Sequence, residues 1–591
     1  MRKLFSFAAA AALCISLHAV PAKPGVHRHV QPDGSVVDFV VHGDEFCHWV
    51  TDTRGRLIEE GADGYFRPSA VDLASLKKRG ALSRRNANAM RTLRPRYNPA
   101  MTTGERNILV ILVNFSDVAF TLDDPLDAFS RLLNEESYSD NGGTGSVRDF
   151  YIDNSNGVFR PTFDVAGPVT LKKKMAEYGG NVSGNDKAPE LALYEACKGL
   201  DAEVDFSQYD SDGDGFVDMI LFYYAGYNEA EGGPPDSIWP HQWSAQYSSD
   251  AKIRNARFDG VGLGNYFCTS EYKGRSGSNM CGIGTTCHEF AHSLGLPDFY
   301  DTDYQTNGTS GCLYSFSTMC SGPYNNDGRT PPYFNIIERE MLGWAESPVT
   351  IESTGSFQIP AIQNGMAYSI LSSTENEYFV FECRNGQNWD KPLPAGMLVY
   401  HVDKSERMVK TQEGNFSAAD LWNHWEEYNN INSSGTHPCF YIIPAADQGS
   451  LYYHGGASGI VFPGYGNVTD YQAVDWEGRS TDVSLSGIIY SDGTVRFTAR
   501  SVSNPIPSDR IHLDEMGYCY IALQSGEYRL TVPEGFVPSD ILWSVDGETY
   551  QTGAMSVSPD LPGGLHEIEV SFRHPDGGGE RIRAVFNVDG V

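Results

Sequence analysis

The stretch Cys287-His288-Glu289-Phe290-Ala291-His292-Ser293-Leu294-Gly295-Leu296-Pro297-Asp298 leaves its backbone little choice. Up to Leu294 the residues suit a helix, Gly295 permits a left-handed turn that ends it, and Pro297 keeps it from resuming. On such a helix His288 and His292, four residues apart, share one face. Phe290 and Leu294 each follow a histidine by two positions, about 200° around the axis, and so point toward a core. The chain folds back after Gly295 and delivers Asp298 toward the imidazoles. Two histidines at this spacing, with a glutamate beside the first, suit a zinc ion. Catalytic zinc takes three protein ligands, and a carboxylate oxygen is a legitimate donor, so Asp298 is the expected third. Asp301 is close enough in sequence to compete. Zinc lowers the pKa of water to about 7, and Glu289 stands where it can take the proton and pass it to a leaving amine.

A chain of 591 residues is too long for one core, and at roughly 150 residues per domain about four units are expected. Acidic residues outnumber basic ones 76 to 44, for a formal net charge of -32, which argues against nucleic acid or an anionic membrane surface as partner. The opening MRKLFSFAAAAALCISLHAVPA reads as a secretory signal peptide over residues 1–22, ending after Ala22. Leu13 stands where a lipid-attachment motif at Cys14 would need a small residue. No later stretch reaches the roughly 18 apolar residues of a membrane span, so an exported protein is expected. Export permits disulfides, above all within the cluster of cysteines that runs from Cys268 to Cys320, although buried thiols acting as small apolar residues satisfy the sequence nearly as well.

Residues 23–100 alternate apolar and polar positions between turn signals and then turn basic (KKRGALSRRNANAMRTLRPR), suggesting a small antiparallel unit and an exposed linker with maturation sites among Arg85, Arg94 and Arg96. In 101–345 the continuous apolar runs NILVILVNF and VDMILFYYAG predict a sheet buried on both faces, while SVRDFYIDNSNG and TTCHEFAHSLG have helical spacing. Recurrent strand patterns predict a β-rich domain over 346–504 and a β-sandwich over 505–591, giving an α+β protein overall. His241 and His401, set among aromatic and apolar residues, read as structural.

A second motif is Asp210-Ser-Asp212-Gly-Asp214-Gly215-Phe216-Val-Asp218. Aspartates at loop positions one, three, five and nine, with glycine at six and the Phe216 carbonyl, suit calcium. Position twelve is Leu221 rather than the bidentate glutamate of an EF-hand, so a shorter structural calcium loop is expected.

The motif CHEFAHSLGLPD followed by FSTMCSG resembles the metzincin zincins in their HExxHxxGxxD variant. With NILVILVNFSD, DSDGDGFVDMILFYYAG, SIWPHQW, MLGWAE and EYFVFECRNGQNWD, the chain resembles more closely the immune inhibitor A-like secreted metalloproteases over about residues 107 to 500. The resemblance implies a metzincin-like catalytic domain behind an N-terminal propeptide, and a secreted zinc endopeptidase acting on proteins or peptides. It makes His288, His292 and Asp298 zinc ligands, Glu289 the general base and Met319 the Met-turn residue beneath the metal. Tyr324, soon after, is a candidate oxyanion donor or a packed tyrosine. The alternative is a degenerate protease serving as an adhesive scaffold, which would need no Glu289. Cys47, in GDEFCHWV, is a further candidate, as a thiolate masking the zinc.

Overall fold

The computed structural model describes residues 20–588 except 92–98, 182–184, 304–306, 412, 503–510, 513–517, 525, 563 and 576–578. Most of the expected signal peptide, Arg94, Arg96 and most of the Pro/Ser-rich link near residue 505 therefore lie outside the described residues. The chain forms two compact units, one of residues up to Glu346 with Gly386–Leu393 and Glu406–Tyr441, the other of Ser347–Asn385, Pro394–Ser405 and Ile442 onward.

In the first unit, β1 (His27–Val30), β2 (Val36–Asp44), β3 (Cys47–Asp52), β4 (Leu57–Glu60) and β5 (Phe66–Pro68) form an antiparallel meander, joined strand to strand by the turns seen in the sequence. The basic run that follows forms helix α1 (Leu73–Arg91) as far as Arg91, where an exposed linker is expected from the sequence. Its alanines, leucines, lysines and arginines are good helix formers, and Leu76 anchors it in the core beside Phe46 and Cys47.

Strand β6 (Gly104–Asn114) lies inside a mixed sheet with β7 (Phe159–Thr170), β8 (Met219–Tyr224), β9 (His241–Ser244) and β10 (Asn265–Ser270), in the order β7-β6-β8-β10-β9. All neighbours are parallel except β10 and β9. Residues Ile108 to Val113 and all of β8 are buried, as continuous apolar runs covered on both faces require. Around the sheet are α2 (Pro125–Asn134), α3 (Val147–Asn154), α4 (Pro189–Leu200) and α5 (Gly284–Leu294). Ser146 and Asp149 close a capping box at the start of α3. Tyr151 of α3 donates its hydroxyl to the carbonyl of Cys287 at 2.6 Å, tying α3 to α5.

The second unit is β-rich. Strands Gly355–Pro360, Thr494–Ser501, Ser480–Ser491 and Tyr471–Val474 form one antiparallel sheet, and Tyr368–Leu371, Glu377–Arg384 and Gly396–Asp403 an antiparallel run in another. His401 is buried there between Phe379 and Trp476 and meets Glu377 at 2.8 Å, a structural histidine. Past residue 510, two four-stranded sheets enclose one core that includes Ile521, Leu530, Trp543, Val570 and Ile582, a small sandwich. Among the described residues the ten cysteines from Cys47 to Cys519 are buried thiols rather than disulfides, and no helix is long and apolar enough to cross a membrane.

Phe290 fastens α5 to the sheet. Its ring lies 4.9 Å from Tyr151, 5.8 Å from Phe163 and 6.1 Å from both Phe159 and Phe267, centroid to centroid. Truncation leaves a cavity among rings that cannot collapse into it, so Phe290→Ala is expected to destabilise the first unit by about 3–5 kcal/mol, measured by urea unfolding followed by tryptophan fluorescence.

Candidate metal centre

Helix α5 ends as the sequence predicts. Gly295 takes φ 114° and its N–H bonds the Ala291 carbonyl at 3.1 Å, as does the N–H of Leu296 at 3.1 Å. The turn carries the Leu296 carbonyl back to His292, whose Nδ1 donates to it at 2.7 Å. His288 Nδ1 donates to the carbonyl of Thr318 at 2.8 Å. Each imidazole thus spends its N–H on a backbone carbonyl, and each Nε2 presents a lone pair.

Those lone pairs meet the carboxylate of Asp298. His288 Nε2 and His292 Nε2 are 3.1 Å apart, and lie 3.2 Å and 3.3 Å from Asp298 Oδ1. Three buried acceptors with no proton between them repel one another unless a cation sits at their centre. A separation near 3.3 Å is also the edge of a tetrahedron whose corners stand about 2.0 Å from its centre, the zinc–nitrogen distance. Two imidazoles and a carboxylate therefore fit zinc. Asp301 is not in this group, and its Oδ1 accepts the N–H of Asp303 at 3.1 Å.

Sequence reasoning missed Asn429. It lies 131 residues from Asp298, in the Glu406–Tyr441 excursion that packs into the first unit, beyond the expected domain boundary. Its Nδ2 holds Asp298 Oδ2 at 2.6 Å and its Oδ1 accepts the Asp298 N–H at 2.9 Å, leaving Oδ1 of Asp298 for the imidazoles. Nothing in a run of asparagines predicts such a contact. Met319 is fully buried next to Thr318, and its carbonyl accepts the Phe299 N–H at 2.8 Å, so the Met319 segment is tied directly to the chain carrying Asp298.

Glu289 is also buried, which pushes its carboxyl well above the usual carboxylate range against the opposing Val20 N–H, with Asp298 adding to the rise. Its Oε1 accepts that N–H at 2.8 Å, while Oε2 has no hydrogen-bond partner. The carboxylate thus has one oxygen to spare beside the candidate metal.

Val20 opens a segment that lies across the site. Its carbonyl accepts the Trp239 indole N–H at 3.2 Å, and the Pro21 carbonyl accepts the Tyr324 hydroxyl at 2.6 Å. Ala22 N–H bonds the Gly43 carbonyl and Lys23 N–H the Ala230 carbonyl, both at 2.8 Å. Tyr324 is brought there because a loop packs directly on the start of α5. A Cβ at Gly284 would fall 1.9 Å from the Pro323 carbonyl oxygen. Cys47 is packed in the apolar core, and it is Val20 that reaches Glu289.

Strand β3 adds His48, stacked on Trp239 at 4.6 Å and paired with Glu229 at 2.9 Å. His241 is buried against the Trp239 carbonyl at 2.6 Å and the Tyr266 hydroxyl at 3.2 Å, and burial lowers its pKa to about 3, as a structural histidine requires.

In the second motif Asp210, Asp212 and Asp218 come together, with one buried oxygen of Asp210 unpartnered. Burial, with Asp212 and Asp210 nearby, raises Asp218 to about 6 despite its bonds from Ser211. Crowded oxygens of this kind suit calcium. Asp214 is not among the three that meet; like Asp212, whose Oδ1 accepts the Asp214 N–H at 3.1 Å, it accepts a loop N–H, that of Phe216 at 2.8 Å.

Residues 100–341 match the family described as "Immune inhibitor A peptidase M6, catalytic domain". Immune inhibitor A of Bacillus thuringiensis subsp. alesti is 26% identical over 276 residues, 40% of this chain and 39% of that protein. Pre-pro-metalloprotease PrtV of Vibrio cholerae is 28% identical over 238 residues, 35% of this chain and 25% of that protein. The chain thus spans well under two thirds of the relatives it matches. The crystal structure of OgpA from Akkermansia muciniphila is 11% identical, covering 82% of this chain and 94% of that one with a TM-score of 0.20, too low to carry a structural argument.

Two expectations follow. Freed of Asn429, Asp298 loses the bond that aims it, so Asn429→Ala should lower zinc affinity about 10- to 100-fold, measured by competition with a chromogenic chelator. Burial alone would lower the His48 imidazole, but Glu229 outweighs it and raises it above 6.5. Burial and Glu229 likewise raise the carboxyl of nearby Asp186. A raised group stabilises the folded contact below its unfolded pKa and ceases to as pH climbs through its folded one. Amides of β1 to β3 should therefore be better protected from hydrogen exchange at pH 5 than at pH 8, with the difference reduced in His48→Gln.

Proposed function

We propose that the protein is an exported zinc endopeptidase of metzincin type, folded in a latent form and acting on extracellular proteins, a reading supported by the match of residues 100–341 to the immune inhibitor A peptidase family. The observation that carries this reading is the convergence of three proton-free donors beside a buried glutamate, with a peptide segment already lying across them. His288, His292 and Asp298 would hold the zinc, and Met319 is the residue of the turn beneath it. Zinc bound there would polarise a carbonyl and lower the pKa of water to about 7.

The rest falls to the chain's own side chains. Glu289, whose Oε2 is left unpartnered among the described residues, accepts the proton of the attacking water as a carboxylate and returns it to the leaving amine. Tyr324, now bonded to a peptide carbonyl at 2.6 Å, donates to a substrate carbonyl. Trp239 offers its indole N–H to the next one, as it does to Val20. While Val20 to Lys23 lie in place, those donors are taken and water cannot align beside Glu289, which supports latency. A binding scaffold would need none of this apparatus. Asp210, Asp212 and Asp218 are proposed to hold a calcium ion that stiffens the turn into β8, with the Phe216 carbonyl as a further ligand; Asp214, bonded to the Phe216 N–H, helps to shape the loop.

The segment also bears on export. Val20 is fully buried and Val20–Ala22 make four hydrogen bonds to the catalytic face and β2. Cutting after Ala22 would remove these contacts, whereas cutting after Ala19 leaves the Val20 amine against Glu289. N-terminal sequencing of the exported protein is expected to begin at Val20; a start at Lys23 refutes that placement.

Casein cleavage by the matured protein should be lost on chelation and return with zinc. Glu289→Gln should lower it about a thousandfold, within the range of acid–base catalysis, while zinc stays bound by metal analysis. Full activity in that variant would sink the mechanism.

A further inference from the structure

Lys23 is held more firmly than a passing surface lysine. Its ammonium lies 3.2 Å from Glu231 Oε2 and 2.9 Å from Asp327 Oδ1, while its N–H bonds the carbonyl of Ala230, beside Glu231. Main chain and side chain are thus bound at adjoining points. Three residues earlier the N–H of Val20 meets Glu289, a span of about 10 Å in an extended chain. Lys23 sits where one side chain of a peptide threaded over Glu289 would sit.

The two carboxylates are not equivalent. Asp327 also pairs with Lys273 and lies 3.6 Å from Arg329, so it keeps cationic partners when Lys23 leaves. Among the described residues, Lys23 is the one lysine or arginine in ion-pair range of Glu231, whose side chain is only 11% exposed. A carboxylate this buried is costly to leave without a cation. We propose that Glu231, with Asp327 beside it, forms an acidic subsite that selects lysine or arginine in the substrate, and that Lys23 occupies it in the latent chain. The inference rests on the peptidase reading above and adds where a preferred substrate carries its charge: at the position of Lys23, counted from the residue whose N–H faces Glu289. Arginine fits because its fork can bridge two carboxylates.

The test uses the matured, zinc-loaded protein, from which the covering segment has been released so that the pair of carboxylates stands vacant. Labelled Val-Pro-Ala-Lys-Pro-Gly and its Gln and Glu counterparts are compared by fluorescence anisotropy. Cleavage is then read on a neutral peptide through which one lysine, or one glutamate, is moved position by position. The lysine peptide should bind about tenfold tighter, and kcat/KM should rise about tenfold at one lysine position. Adding Glu231→Gln should erase both preferences. Glu231→Lys should shift them to the glutamate-bearing peptides, an inversion that a merely structural role would not produce. Equal binding and equal cleavage of lysine and glutamine peptides, or no binding of either, overturns the subsite. Cleavage without a charge preference leaves the peptidase reading standing and removes the subsite alone, whereas a lysine preference in binding with no cleavage supports the subsite and overturns the peptidase reading.

Discussion

Three acceptor atoms held within hydrogen-bond distance of one another, with no proton to share, set the terms for the catalytic unit. His288 and His292 could relieve the conflict by turning an N–H toward Asp298. They do not, because the Thr318 and Leu296 carbonyls hold their Nδ1 protons. The repulsion is therefore built in, and the surrounding structure keeps it from relaxing. Phe290 locks the helix against four aromatic rings, Gly295 fixes the turn, and Asn429 grips the outer oxygen of Asp298. Such a pre-stressed donor set spends little energy on reorganising when a cation arrives, which is how supporting contacts sharpen metal affinity.

Much of this was legible in the sequence, for a reason. Helical spacing, the breaker after Leu294 and the apolar side of α5 are local properties, and local physics fixes them without knowledge of the fold. The apolar runs of β6 and β8 are legible likewise, since a strand buried on both faces has no polar side to hide. What sequence could not give is what depends on distant chain. Asn429 comes from an excursion far past the expected boundary, and no periodicity announces it. The basic run after residue 72 looked like a linker because its charges suggested exposure, yet its residues are helix formers and one leucine sufficed to dock it. Asp214 matches the calcium spacing as well as its neighbours do, yet the oxygens that meet are those of Asp210, Asp212 and Asp218, which depends on how the loop is folded and not on spacing.

The N-terminal sheet is joined to the rest of the first unit by apolar contacts and by charge. Phe46 and Cys47 enter the main core, Phe39 and Val41 join Val20, Ala230 and Trp239 in a smaller cluster, and a cavity of about 420 Å³ remains beside Trp239 and His48. Charge adds to these contacts. His48 faces Glu229, Lys23 faces Glu231 and Asp327, and Arg275 from the catalytic side reaches Glu60 of β4.

On the peptidase reading proposed above, the charged part of these contacts would suit a cover that comes off. Apolar burial is indifferent to pH, whereas ion pairs across a face can be loosened by a change of pH or by the loss of a single partner. On that reading the departure of the cover leaves Glu229 and Glu231 without the His48 and Lys23 that had faced them, while Asp327 keeps Lys273 and Arg329. In a chain whose net charge is already -32, further negative charge at the cleft repels acidic peptides and draws basic ones. If the peptidase reading holds, the contacts that keep the site covered would also bear on which peptides it favours once open, and a change that weakens the one should be expected to alter the other.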